Sequence, residues 1–125
     1  MSQVDVERLA NKVIGAAIEV HRHLGPGFGE NIYHEALCTE LRLCGIPFAK
    51  EVAVNIDYKG HPIGTGRLDM LVDSQLIVEL KAVDTLAPIH TAQVISYLKA
   101  TRLSLALLIN FNVYLLKQGI KRIVL

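Results

Sequence analysis

The chain has 125 residues, 51% of them hydrophobic, and a mean hydropathy of +0.35. That is ample apolar material for one core, little room for a second, and too much for a disordered chain. Thirteen Lys and Arg against twelve Asp and Glu leave a net charge of +1, so no global basic field gathers a polyanion and any nucleic-acid contact must come from a local patch. Uncharged apolar runs such as Leu103 to Phe111 fall well short of the roughly 20 residues that span a bilayer, so no membrane segment is expected. The N-terminus is acidic early and amphipathic, which predicts no secretory signal. Cys38 and Cys44 lack C-x-x-C spacing, which argues against a zinc ribbon or a disulfide framework and fits a reducing, cytoplasmic setting.

No repeat, low-complexity tract or linker interrupts the chain, so residues 1–125 read as a single domain. Val6, Leu9, Val13, Ala17 and Val20 recur at helical spacing and predict an amphipathic first helix from Val4 to His21. His23-Leu24-Gly25-Pro26-Gly27 breaks it. Tyr33, Leu37 and Leu41 form the stripe of a second helix from Glu30 to Cys44, with Gly45 as its stop. Beyond Pro47 the β-branched segments Val52–Ile56, Leu68–Val72 and Leu76–Leu80 predict a three-stranded antiparallel meander, turning at Tyr58–His61 and Asp73–Gln75. Pro88 suits the first turn of a helix reaching Thr101, and Leu105–Phe111, without a charge, reads as a buried strand. A last strand lies near Val113–Lys117 or Arg122–Leu125. The order ααβββαββ is that of a mixed α/β sheet flanked by helices.

The informative residues are charges inside apolar strands, because a carboxylate rarely enters a core without a partner or a metal. Asp69 lies between Leu68 and Met70, and Glu79 and Lys81 flank Leu80. Alternate strand residues share a face, which puts Glu79 and Lys81 on one side about 6.7 Å apart. Whether Asp69 joins them depends on register. A two-residue turn at Asp73-Ser74 pairs Asp69 with Val78 and sends the carboxylates to opposite faces, whereas a three-residue turn, Asp73-Ser74-Gln75, sets Asp69 against Glu79. The three-residue turn is the expectation. It creates a two-carboxylate pocket beside a lysine, and like charges so close need a cation to stay ionised together. Hard oxygen donors without a Cys or His quartet select Mg²⁺ or Mn²⁺, which can activate water and stabilise charge developing during attack on a phosphodiester. Lys81 could orient the nucleophile or neutralise the transition state. The plainer alternative is an ion pair of Glu79 with Lys81 at a strand end and Asp69 capping a turn.

Asp69 followed, after nine residues, by Glu79-Leu80-Lys81 resembles the D…E-x-K signature of the PD-(D/E)xK nuclease superfamily, and the element order resembles its restriction-endonuclease-like core. Gly27-Phe28-Gly29-Glu30-Asn31-Ile32-Tyr33 is similar to the G-x-x-E-x-x-Y motif that names a small bacterial family of that superfamily. The resemblance runs from Val13 to Phe111, and Gly66-Arg67-Leu68 stand where the signature's proline would sit. It implies a metal-dependent nuclease acting on DNA or RNA, with a metal held by Asp69, Glu79 and the main-chain carbonyl of Leu80 and with Lys81 catalytic. It further implies that Glu30 brings an extra acid to the same metal, and that Gln93 and Tyr97, a Q-x-x-x-Y pair on one helix face, line the site and contact substrate.

Each residue also has a simpler reading. Glu30 in a first helical turn is favoured by the helix dipole alone, Tyr33 on an apolar stripe is core with a satisfied hydroxyl, and Gln93 is a polar residue on a half-exposed helix. His21, His23 and His34 surround the glycine-rich loop and allow an alternative site with Glu30, although their spacing matches no zinc pattern. The glycines lack the strand before and the Lys-Ser/Thr ending of a phosphate loop and are expected to let the chain turn and carry Glu30 toward the sheet. Arg67, Lys99, Arg102, Lys117, Lys121 and Arg122 could form a phosphate-binding rim. Two other functions stay open: a non-catalytic nucleic-acid or protein-binding module on the same scaffold, and a subunit that pairs with itself. A homodimer also suits so small a nuclease gripping a duplex.

Overall fold

The stripe Val6, Leu9, Val13, Ala17 and Val20 is buried along its whole length, as a helix with one apolar face requires. In the computed structural model, which describes residues 3–125 and the side chains from Asp5 onward, that helix, α1, spans Gln3–Leu24. It outlasts the expected end at His21 by a turn and stops where Gly25 adopts a φ of +67°, a conformation cheap only for glycine. Helix α2 (Glu30–Leu43) packs beside it through Tyr33, Leu37, Cys38 and Leu41. Then follow β1 (Phe48–Tyr58), β2 (His61–Val72), β3 (Leu76–Lys81), α3 (Pro88–Thr101), β4 (Leu105–Asn110) and β5 (Ile120–Val124). The last strand takes the second of the two expected positions, beginning two residues earlier, and a 3₁₀ turn over residues 116–119 precedes it. No helix among the described residues is long and apolar enough to cross a membrane.

The five strands lie in sequence order, with β3 and β4 parallel and every other neighbouring pair antiparallel. Helix α3 is the crossover that a parallel pair demands. All six residues of β4 are buried, because α1 and α2 cover one face through Leu105, Leu107 and Ile109 while α3 covers the other over Ala106 and Leu108. The sheet thus separates two apolar clusters. A close approach fixes one position in this layer: a Cβ on Gly119 would sit 2.1 Å from the Asn110 carbonyl oxygen. Gly119→Ala is therefore expected to cost about 2 kcal/mol or more of stability, read as a lower urea midpoint.

The β1–β2 hairpin is longer than the sequence suggests, and it changes sides. Phe48, Met70 and Val72 pack on the α1/α2 cluster, whereas Val52, Val54, Ile56 and Leu68 pack on the α3 cluster. Residues of one parity should share a face, so the hairpin turns over between these two sets. The reversal coincides with a missing pair: Lys50 opposes Met70 and Val52 opposes Leu68, but no pairing joins Glu51 to Asp69, and Glu51 has a φ of +55°. Alternation along β2 therefore breaks at Asp69.

Candidate acidic centre at the splay of two strands

Asp73 and Ser74 both adopt positive φ, and Gln75 N–H closes the turn on the Val72 carbonyl at 3.0 Å. This three-residue turn sets Val72 opposite Leu76, Leu71 opposite Ile77 and Met70 opposite Val78, so the next position across is Asp69 and Glu79. There the backbone ladder stops and the side chains take over. Asp69 N–H donates to Glu79 Oε1 at 3.1 Å, and Leu80 N–H donates to Asp69 Oδ2 at 2.8 Å. Each carboxylate fills the gap left by the other residue's strand, and buried N–H groups that would otherwise be orphaned are satisfied.

Glu79 is 4% exposed. Burial first, then the negative charge of Asp69 and a side-chain hydrogen bond to it, push the Glu79 carboxyl from 4.5 up to about 9, against the opposing pull of Asp69 N–H and of Lys81. At neutral pH the pair therefore retains a proton, as two adjacent carboxylates must without a counter-charge. Lys81 follows on the same face of β3, half-buried, its carbonyl accepting from Phe111 N–H at 2.9 Å. The site lies at the carboxyl ends of the parallel strands β3 and β4, where α/β sheets open a crevice.

Glu30 arrives from the other layer. Gly27 has a φ of +108°, and Tyr33, fully buried, donates its hydroxyl to the Gly25 carbonyl at 2.6 Å while accepting Phe28 N–H at 3.2 Å. Its ring stacks on Phe111 at 4.7 Å, so the loop before α2 is tied to the end of β4. Glu30, first residue of α2, remains solvent-facing, and partial desolvation and then the charge of Asp69 raise its carboxyl, while Lys81, His34 and His90 act to lower it. Glu30 thus senses Asp69, but among the described residues no three His, Cys, Asp or Glu side chains are gathered into a ready metal-binding group. Two acids meet; the third stands near.

The three histidines around the glycine loop part company. His21 Nε2 lies 2.7 Å from the Val113 carbonyl, His23 pairs with Glu19 at 3.5 Å, and His34 alone reaches the centre, its Nε2 lying 3.1 Å from the Asp69 carbonyl. The alternative site built on all three therefore does not form. Sequence reasoning missed His90, which sits in the first turn of α3 and feels the Glu30 charge. Its Nδ1 accepts Ala87 N–H at 3.0 Å, which leaves Nε2 as the protonated nitrogen of the neutral ring. The legible signal was topological: a crossover helix begins at the carboxyl end of the strand before it.

The expected substrate contacts are more dispersed. Gln93 Nε2 lies 3.5 Å from the Tyr97 hydroxyl, confirming a shared helix face. Tyr97 packs over Gly66, where a Cβ would meet its ring at 2.7 Å. Arg67 is exposed opposite Ala53, on the hairpin face turned away from α3. Among the described residues no hydrogen bond links Gln93, Tyr97 or Arg67 to the two acids. In the basic rim, Arg122 is engaged by Glu7 and Lys121 by Thr91 at 3.4 Å. Asn110, opposite Lys81 in β4, was not singled out either; it is buried and grips both backbone groups of Val83, at 3.0 and 2.8 Å, fixing the exit of the chain from the site.

Compared with known families, the chain matches the PD-(D/E)XK nuclease superfamily over residues 7–123. The chain belongs to the PD-(D/E)XK nuclease superfamily. No curated protein and no solved structure matches it. Members of this superfamily generally use divalent metals, and the donor chemistry of the Asp69–Glu79 pair fits one: two carboxylates that share a proton offer hard oxygens to a cation that displaces it.

Proposed function

We propose that this PD-(D/E)XK protein is a metal-dependent nuclease that hydrolyses phosphodiester bonds in DNA or RNA. The observation that carries the reading is the Asp69–Glu79 pair, joined by register and reciprocal hydrogen bonds next to Lys81. Asp69, Glu79 and the Leu80 carbonyl would hold Mg²⁺ or Mn²⁺, with Glu30 approaching from α2. The ion would supply Lewis acidity toward the phosphodiester and a lowered pKa for coordinated solvent. The chain's own residues do the rest. Lys81, one strand period from Glu79, offers its ammonium group to the attacking oxygen or to the charge growing on phosphorus. His34 holds the Asp69 carbonyl, and with it the point where β2 leaves the ladder. Gln93, Tyr97 and Arg67 would meet the substrate farther out. Membership of the smaller G-x-x-E-x-x-Y family is supported by what its letters do here: Gly27 turns the chain, Glu30 faces the acids, and Tyr33 ties the loop down.

A second reading has one observation in its favour. Each carboxylate already satisfies a backbone N–H, so the pair could serve as a splice in a non-catalytic binding module. Titrating Mn²⁺ into the protein by calorimetry, alongside cleavage assays on single- and double-stranded DNA and RNA with Mg²⁺ or Mn²⁺, separates the two. Nuclease function predicts a Mn²⁺ site that Asp69→Asn removes and cleavage that EDTA stops. No ion bound and no substrate cut would leave the module.

A further inference from the structure

The loop after β4 carries the most exposed large hydrophobic side chain among the described residues: Tyr114, 90% accessible. It is not a loose loop. The Val113 carbonyl is held by His21 at 2.7 Å, Asn112 N–H donates to Asn110 Oδ1 at 3.2 Å, and Leu116 is buried in the core. An aromatic ring is therefore held out in solvent on a backbone pinned on both sides, which limits the ordering cost of stacking something against it. Tyr114 also stands between two cavities. One, of about 310 Å³, lies between its loop and Pro26-Gly27. The other, of about 470 Å³, includes Arg22 and Lys117 in its wall. Arg22 shares its charge with Glu19 at 3.1 Å, while Lys117 makes no ion pair among the described residues.

The first cavity is walled by segments that adjoin the acidic centre along the chain. Gly27 lies three residues before Glu30, and Asn112 lies two beyond Asn110, the partner of Lys81 across β3 and β4. Phe28, next to Gly27 and 47% exposed, adds a second aromatic at that border. A strand leaving the two acids along these segments would meet a wall of mixed polarity and the exposed Tyr114 ring first, then the cationic side chains of Arg22 and Lys117. Unpaired bases offer a face for an aromatic ring, whereas paired bases in a duplex keep theirs stacked.

We propose that Tyr114 is a stacking platform for a base of a single-stranded nucleic acid, which runs from the acidic centre over the ring toward Arg22 and Lys117. This inference rests on the nuclease reading for the identity of the polymer, and its test is read without cleavage. In EDTA, fluorescently labelled oligothymidine and oligouridine of about twenty nucleotides, and a duplex of the same length, are titrated with the protein. At least one single strand is expected to bind more tightly than the duplex. Tyr114→Ala should weaken that binding by about tenfold or more, with Tyr114→Trp restoring it and the melting temperature unchanged. A 4-thiothymidine or 4-thiouridine photocrosslink is expected at Tyr114 by mass spectrometry. Equal single-strand affinity in Tyr114→Ala overturns the platform even if the protein cuts nucleic acid, and so does a self-association that the same variant disperses while leaving oligonucleotide binding intact. Tyr114-dependent binding without cleavage under any metal upholds the platform and overturns the nuclease reading instead.

Discussion

Asp69→Asn and Lys81→Ala are each expected to lower Mg²⁺- or Mn²⁺-dependent cleavage by on the order of 10³-fold or more while the protein stays folded. Asparagine keeps an oxygen for Leu80 N–H, the 2.8 Å bond that closes the gap between β2 and β3, so the scaffold survives while one negative charge leaves. Loss of Lys81 removes the ammonium group and leaves its main-chain bond to Phe111 in place. Single-turnover rates on the preferred substrate, with melting curves in parallel, supply the measurement. Cleavage within about tenfold of the parent in both folded variants would sink the assignment of these residues to the chemistry.

The second large effect concerns stability and its slope with pH. The Glu79 carboxyl is raised from 4.5 to about 9 in the folded chain, chiefly by burial and by Asp69. Its protonated form is the one the fold favours, so its contribution is complete below about pH 4.5 and is lost as the pH climbs through about 9. Glu79→Gln keeps an acceptor for Asp69 N–H and cannot ionise. Relative to the parent, it should gain stability on the order of 5 kcal/mol between about pH 5 and about pH 9, the gap widening with pH. Urea denaturation in EDTA across that range is the check; parallel curves for the two proteins would mean that Glu79 ionises freely in the fold. Mn²⁺ should reverse the trend in the parent, since an ion that replaces the shared proton binds better as protons become scarce.

Much of this centre was legible because turn length fixes register. A three-residue turn at Asp73-Ser74-Gln75, expected over a two-residue one, sets Asp69 against Glu79, and the start of α3 follows from Pro88. The hairpin was legible only in its apolar pieces. Lys50 and Asp57 in β1, and Gly64 to Gly66 in β2, carry no strand pattern, yet they pair, because a two-residue turn at Lys59-Gly60, both with positive φ, extends the ladder through backbone bonds alone. The turnover of the hairpin at Asp69 escaped a period-two reading, which presumes a flat strand. His90 escaped because its partner is the start of its own helix, which leaves no mark in residue spacing, and His34 was read only with His21 and His23 as an alternative site because its partner is a main-chain carbonyl.

The sheet ends on two unpartnered borders, β1 and β5, and a chain half hydrophobic could be expected to grow there by accretion. Both borders are spoiled as templates. Glu51, with its reversed backbone and beside a lysine, interrupts the row of donors along β1, and β5 is five residues long with Lys121 and Arg122 exposed upon it. The irregularity that frees Asp69 from the ladder therefore also guards the solubility of the fold.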